Sequence, residues 1–273
     1  MSVDETAELD VSSGAAGSGS PPEGDGKVVA RNVKKQFGRI IAIEDIDLEI
    51  RDNEIFALVG DNGAGKSTLM NVLCGVHAPT DGQLYYEGEP VTFSSPSDAR
   101  AIGIETVYQD LALMDDLDVA TNIFMGQFPT KGIGPLKQID WEETYKRADE
   151  IVNDTLGRDL NIETEVEFFS GGERQLFAIS RALAFDPEVI ILDEPTSALS
   201  VDATDMVHTT LQKLKEDEGM TIIIVSHNIE SVLEIADRIG VLYQGNLIDV
   251  RTPEESSLEQ LTQLMTTGIQ KDD

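Results

Sequence analysis

The chain has 273 residues, 40% of them hydrophobic, which is enough to bury a sizeable core in one large domain or a domain with an inserted subdomain. With 51 acidic against 20 basic residues, its net charge of −31 is spread along most of the sequence, a field that opposes nucleic acid and anionic lipid as partners. Cys74 is the single cysteine, which excludes an intrachain disulfide and a cysteine-built metal cage.

In chain order, residues 1–26 are acidic and then rich in Gly, Ser and Pro. Such a composition cannot bury enough apolar surface to offset its ordering entropy, so a disordered tail is expected there, with one domain over 27–273. The opening MSVDETAELD carries acid where a secretory signal carries base, and no apolar run approaches the length of a membrane span. A cytosolic setting follows, with membrane association only through a partner. The overall acidity reads as a solvated surface and resembles that of proteins from salt-loving organisms, whose internal salt screens self-repulsion.

From Lys27 the texture changes. VVARNV, IEDIDLEI and QLYYEGEPVTF alternate apolar and polar residues, which predicts a small antiparallel sheet flanking a core. EIFALVG, GIETVYQ, EVIILDE, TIIIVSH and IGVLY are short and almost continuously apolar, as strands covered on both faces are. Helical stretches separate them, which predicts a parallel α/β sheet. Residues 115–186 interrupt this alternation with helical patterning in DWEETYKRADEIVNDTL and GGERQLFAISRALAF, read as an inserted helical subdomain. A hairpin is expected around Gly245 and Asn246, followed by a helix near 257–265.

The chemistry begins at residues 60–68, GDNGAGKST, directly after the strand EIFALVG and before a helical stretch. This is the G-x-x-x-x-G-K-[ST] phosphate loop in its required setting, formed by Gly60, Asp61, Asn62, Gly63, Ala64, Gly65, Lys66, Ser67 and Thr68. Its glycines let several N–H groups point into one anion-sized hollow at the positive end of a helix. Lys66 is placed to reach the terminal phosphates and Ser67 to ligate magnesium. EVIILDEP ends in Asp193 and Glu194, two acids where a buried strand emerges, on the sheet edge that binds ligands in open α/β folds. The roles expected of them are magnesium binding for Asp193 and activation of the attacking water for Glu194.

Between these motifs residues 169–175 read FSGGERQ at the start of an amphipathic helix. S-G-G-E-R-Q between a phosphate loop and an I-L-D-E-P-T strand resembles the signature of ABC ATPases, and the resemblance covers about residues 28–245. It implies a P-loop NTPase core of RecA-like type, with a flanking antiparallel β subdomain and an inserted α-helical one. It also implies ATP and Mg²⁺ as cofactors, and two ATPase subunits packed head to tail. In that arrangement Ser170, Gly171, Gly172 and Glu173 act in trans on the partner's ATP.

By the same resemblance Gln109 in VYQD meets the magnesium and signals to a membrane subunit. His227 in VSH contacts the γ-phosphate and helps position Glu194, and Phe37 in QFGR stacks on adenine. Two departures stand out: Ser200 replaces the aspartate usual after Ser197-Ala198-Leu199, and Phe169 replaces the leucine before the signature serine.

VYQDLALMDDLDVATNIFMGQ, PTSALS and SHNIESVLEIADRIGVL are similar to the ATPases of importers for simple sugars such as ribose, fructose, glucose or xylose. Many of those are fused tandem pairs, whereas this chain has one phosphate loop and one signature. The implied assembly is a homodimer or a second ATPase subunit, two permeases and an extracellular sugar-binding protein, at the cytoplasmic face of the membrane. Import of an amino acid or nucleoside, and export, use the same motor. ABC ATPases of DNA repair or of ribosome-associated factors form a separate class, disfavoured by the acidity and the single ATPase unit. A P-loop kinase would leave the signature and His227 unexplained.

Overall fold

The computed structural model describes residues 26–132 and 134–269. The tail expected over 1–26 lies outside them except for Gly26, which already opens the first strand.

β1 (Gly26–Phe37) and β2 (Ile40–Arg51) form a hairpin, and β3 (Ile55–Gly60) leads into the phosphate loop and α1 (Lys66–Leu73). β4 (Asp81–Tyr86) and β5 (Glu89–Val91) complete a four-stranded antiparallel sheet in the order β2-β1-β4-β5. α2 (Pro96–Ala101) then precedes β6 (Ile104–Val107).

Between β6 and the next strand of the main sheet lie α3 (Val119–Ile123), the small hairpin β7 (Thr130–Lys131) and β8 (Gln138–Ile139), α4 (Trp141–Asp149) and α5 (Gly171–Leu183). α4 runs on into a π-helical turn, Glu150–Thr155, where the Leu156 amide donates to the Ile151 carbonyl at 3.0 Å. This segment buries its own cluster, which includes Val119, Ile123, Phe124, Val152 and Phe177.

β9 (Val189–Asp193), α6 (Val201–Glu218), β10 (Thr221–Ser226), α7 (Ile229–Ile235), β11 (Arg238–Tyr243), β12 (Asn246–Arg251) and α8 (Leu258–Thr267) finish the chain. The main sheet has the order β12-β11-β3-β10-β9-β6, with only β12 antiparallel to its neighbour.

β3 shows why its apolar run is continuous. Phe56 and Leu58 pack toward α1 and the antiparallel sheet, while Ala57 and Val59 pack toward α7 and α8. Val189, Ile190, Ile191 and Leu192 of β9 are likewise buried on both faces, at about 1.5–3 kcal/mol for each large side chain. Because β3, β6, β9 and β10 run parallel, their carboxyl ends reach one sheet edge, where the loops that carry the polar motifs begin.

Candidate active site

β3 ends at Gly60, and the chain turns through Gly63 at φ 82° and Gly65 at φ 108° before α1 starts. Both angles lie in the left-handed region that glycine adopts freely. At Gly65 the packing adds a second requirement: a Cβ would lie 2.8 Å from the Ala42 carbonyl oxygen and 2.8 Å from Ile43 Cγ2. The loop is tied outward as well. The Gly245 amide donates to the Ala64 carbonyl at 2.9 Å, and the Glu44 amide donates to the Gly245 carbonyl at 2.8 Å. The β11–β12 turn thus holds the phosphate loop against β2.

A cavity of about 660 Å³ opens over the loop. Asn62, Gly63, Gly65, Lys66, Ser67 and Thr68 line it, together with Gln109, Asp193 and Glu194 from the ends of β6 and β9. Of the loop residues named from the motif, Gly60, Asp61 and Ala64 shape the turn and do not line the cavity. Asp61 accepts the Asn62 amide through Oδ1 at 2.7 Å. Lys66 Nζ donates to the carbonyls of Gly60 at 2.7 Å and Asp61 at 3.3 Å. Burial holds its ammonium below the ordinary lysine range, against the pull of Glu194, Asp61 and Asp193.

The acid pair is set by the end of β9. Burial raises the Asp193 carboxyl above the ordinary aspartate range, the adjacent Glu194 charge raises it further, and Lys66 opposes both. Glu194 adopts φ 50°, a turn that aims its side chain back over the sheet edge, and its amide is clamped to the Val225 carbonyl at 2.8 Å. Its Oε1 lies 2.6 Å from His227 Nδ1, and its Oε2 accepts from the Ser226 hydroxyl at 3.3 Å. The carboxylate is 13% exposed and the imidazole 59%, so the histidine forms the open side of the pair. His227 lies in a second cleft of about 360 Å³ that shares Glu194 with the first.

Ser67, Gln109 and Asp193 bring a hydroxyl, an amide and a carboxylate to one cavity, a set of oxygen donors suited to magnesium held jointly with substrate phosphates. Among the described residues no group of three or more His, Cys, Asp or Glu side chains could hold a metal.

Phe37 and the signature are not among the residues that line the cavity. The Phe37 ring stands edge-on to His77 at 5.1 Å, with Lys35 Nζ 5.2 Å above its face. Ser170 caps α5: its hydroxyl donates to Glu173 Oε2 at 2.6 Å and accepts the Glu173 amide at 3.4 Å, while its own amide donates to Glu173 Oε2 at 2.8 Å. Gly172 is required by the neighbouring helix, since a Cβ there would lie 2.9 Å from Ala203 Cβ on α6. Phe169 sits edge-on to Phe177 at 4.8 Å, an apolar packing role that tolerates the change from leucine.

Sequence reasoning missed five lining residues: Ile40, Ile41 and Ala42 at the start of β2, and Gln244 and Gly245 in the β11–β12 turn. Ile40 opens β2 and is 72% exposed, and no local pattern marks it as a lining residue. Gln244 carried no signal either, because only the fold brings that turn to the phosphate loop.

The ABC transporter family model matches residues 43–197, more than half of the chain. The xylose/arabinose import ATP-binding protein of Sulfolobus acidocaldarius is 43% identical over 87% of this chain and 92% of its own length. The fructose import ATP-binding protein of Rhizobium meliloti is 37% identical over 88% and 93%. The ribose import ATP-binding protein of Caldanaerobacter subterraneus subsp. tengcongensis is 34% identical over 86% of this chain, which spans 46% of that relative. A solved ATP-binding cassette of an ABC transporter in its ADP conformation superposes with TM-score 0.75 at 25% identity, covering 89% of this chain and 95% of the other. A dimeric cassette in a post-hydrolysis state, bound to ADP and Pi, gives TM-score 0.68 at 27% identity, covering 83% and 98%. With the phosphate loop, the acid pair and the signature all in place on this fold, the chain belongs to the ABC transporter family as one of its ATP-hydrolysing cassettes.

Proposed function

We propose that this cassette powers uptake of a simple sugar, coupling ATP binding and hydrolysis at a head-to-tail dimer interface to the movement of membrane permeases. One observation carries the reading: the phosphate loop, Asp193, Glu194 and Gln109 line one cavity, while the signature turn presents its free N–H groups elsewhere on the molecule. A helix start of that kind suits a phosphate supplied by a second cassette.

In this reading the backbone of residues 60–68 cradles the phosphates and Lys66 contacts the terminal ones. Ser67, Asp193 and Gln109 hold magnesium, which when bound offsets phosphate charge. Glu194 orients a water and accepts its proton as the water oxygen bonds to the γ-phosphorus and the bond to the β-phosphate oxygen breaks. His227 fixes the Glu194 carboxylate through Nδ1, which leaves Nε2 for the γ-phosphate. Phe37 stacks on adenine, and Ser170, Gly171, Gly172 and Glu173 act on the partner's ATP.

Residues 27–273 form the cassette, with 115–186 as its inserted helical arm. Its partners are a second copy of the chain, two permeases and an extracellular sugar-binding protein. No helix among the described residues is long and apolar enough to cross a membrane; in this reading the cassette attaches at the cytoplasmic face through the permeases. The sugar assignment is supported by relatives named for xylose/arabinose and fructose import that match along more than nine-tenths of their length.

The test is to co-purify the tagged chain from gently solubilised native membranes and identify its companions. Recovery of a multi-span permease supports the assignment, and its binding protein is then titrated with pentoses and hexoses. Recovery of ribosomes or DNA-processing proteins without a permease overturns it.

A further inference from the structure

α6 begins directly after the loop that follows Glu194, and its inner face reads as an apolar stripe through Val207, Leu211 and Leu214. His208 breaks that stripe and is 6% exposed, so its ring requires partners. Nε2 lies 2.7 Å from Ser231 Oγ on α7, and Nδ1 lies 3.3 Å from Glu234 Oε2 on the same helix. Ser231 Oγ is in turn 3.2 Å from Thr196 Oγ1 in the loop after Glu194, and both hydroxyl residues are buried.

The partners assign the protons. Glu234 only accepts, so the neutral ring donates from Nδ1 and accepts the Ser231 hydroxyl at Nε2, which leaves Ser231 Oγ to accept from Thr196. Three buried polar side chains from three segments thus satisfy one another.

Two of those segments adjoin hydrolytic machinery. Thr196 stands two residues after Glu194, and Ser231 four residues after His227. A second bonded path closes the circuit: the Ser231 amide donates to Asn228 Oδ1 at 3.2 Å, the Asn228 amide to Ser226 Oγ at 3.0 Å, and the Ser226 hydroxyl to Glu194 Oε2. The loop between these anchors needs an external tie, because Glu194 at φ 50° and Ala198 at φ 61° both lie in the left-handed region that non-glycine residues avoid.

We propose that His208 is a positioning residue for ATP hydrolysis: by fixing Ser231, and through it Thr196, it holds the Glu194 carboxylate and the His227 ring in their working geometry. The inference rests on the assignment of Glu194 and His227 to hydrolysis. It bears on turnover more than on binding, since the phosphate loop lies between β3 and α1 and is not among the hydrogen-bonded members of this network, in which His227 is the one proposed phosphate contact.

The test measures phosphate release and ATP affinity of the full chain with Mg-ATP, for wild type and for His208→Leu, His208→Gln and Ser231→Ala, after circular dichroism has established folding. His208→Leu keeps a buried side chain but removes the acceptor, and a misplacement of the base by an ångström or less lowers kcat by roughly ten- to a hundredfold. ATP affinity is expected to fall far less than kcat, because the phosphate loop and Lys66, which hold most of the phosphate contacts, are untouched. His208→Gln, whose amide oxygen again accepts from Ser231, recovers most of the rate.

A folded His208→Leu protein with wild-type kcat overturns the proposal and leaves the ATPase assignment standing. So does a fall in kcat that only tracks loss of folded protein or of nucleotide affinity. If His208→Leu does not fold, Ser231→Ala decides: reduced kcat at unchanged affinity supports the role, and unchanged kcat refutes it. Wild-type protein without phosphate release would overturn the proposal and the site assignment together.

Discussion

Glu194→Gln isolates the charge of the proposed base from its shape. The amide keeps the volume and a hydrogen-bonding oxygen for Ser226, and the backbone clamp to Val225 does not involve the side chain at all. What is lost is the proton acceptor, and general-base assistance contributes roughly 10²–10⁴ in rate, so kcat is expected to fall by at least about a hundredfold. Binding moves in the opposite direction. Like unit charges about 4 Å apart at an effective dielectric of about 20 repel by about 4 kcal/mol, and by less in proportion as they separate, so a carboxylate facing the terminal phosphate opposes binding by at most about that amount per unit charge. Removing it therefore strengthens nucleotide binding by up to that amount. The substitution also removes one of the causes that raise the Asp193 carboxyl, leaving Asp193 more readily ionised for the magnesium proposed there. The variant is therefore expected to bind Mg-ATP more tightly, turn over at or below about 1% of wild type, and elute as a dimer on gel filtration with ATP. Single-turnover phosphate release and equilibrium nucleotide titration are the assays. Turnover within tenfold of wild type, or weakened ATP binding, would refute the role assigned to Glu194, and a strictly monomeric variant would refute the head-to-tail dimer.

Three further predictions concern other parts of the site. Lys66→Ala removes the charge-assisted contact to phosphate proposed for it, worth about 1.5–3 kcal/mol, so ATP affinity is expected to fall roughly ten- to hundredfold in isothermal titration; unchanged affinity contradicts the assignment. Gly63→Ala and Gly65→Ala both place a Cβ at positive φ, at about 1–3 kcal/mol, but only Gly65 also meets backbone and side-chain atoms at 2.8 Å. Urea unfolding is expected to show Gly65→Ala less stable by a further ~1–3 kcal/mol, and equal losses would refute the packing argument. His208 is held below the ordinary histidine range by burial, against Glu234 on α7 and Asp205 on α6. As pH falls below about 6.5 the unfolded chain takes up a proton that the folded one does not, so stability present at neutral pH is lost by up to about 1.4 kcal/mol per pH unit. Between pH 7 and 5 the wild type should therefore lose more stability than His208→Gln; equal slopes would sink the argument.

The residues that sequence displays well are those whose geometry is local. The phosphate loop is legible because glycine spacing, Lys66 and Ser67 act within one turn between one strand and one helix. Four of the five main-sheet strands from β3 to β11 are legible because burial on both faces makes each a short, largely apolar run, whereas the edge strand β6 carries Glu105 and Thr106 between its two apolar residues. The order of the sheet, with β3 between β11 and β10 and β6 at the edge, follows from long-range packing that no local pattern encodes. The β7–β8 hairpin has two residues per strand, too few for any periodicity. The stretch 140–156 reads as one helix, and its π-helical turn at Glu150–Thr155 shifts the hydrogen bonding without disturbing the apolar spacing. Ile40, Gln244 and the buried setting of His208 are equally invisible, because each depends on which elements the fold brings together.

The same distinction bears on Ser200, where the family's usual aspartate is absent. Serine and aspartate are comparable helix caps, and Ser200 Oγ accepts the Ala203 amide at 3.4 Å, so α6 keeps its start. Ala203 is also the residue against which Gly172 of the signature packs, so the cap helps to fix the surface on which the signature turn rests. The exchange therefore keeps the mechanical link between the signature and the loop after Glu194 and deletes one negative charge from it. Asp205, Glu230 and Glu234 already line the cleft beside Glu194 and His227. In the head-to-tail dimer proposed above, a further carboxylate in this loop of a chain of net charge −31 would add like-charge repulsion to closure. A serine cap removes that cost and retains the geometry.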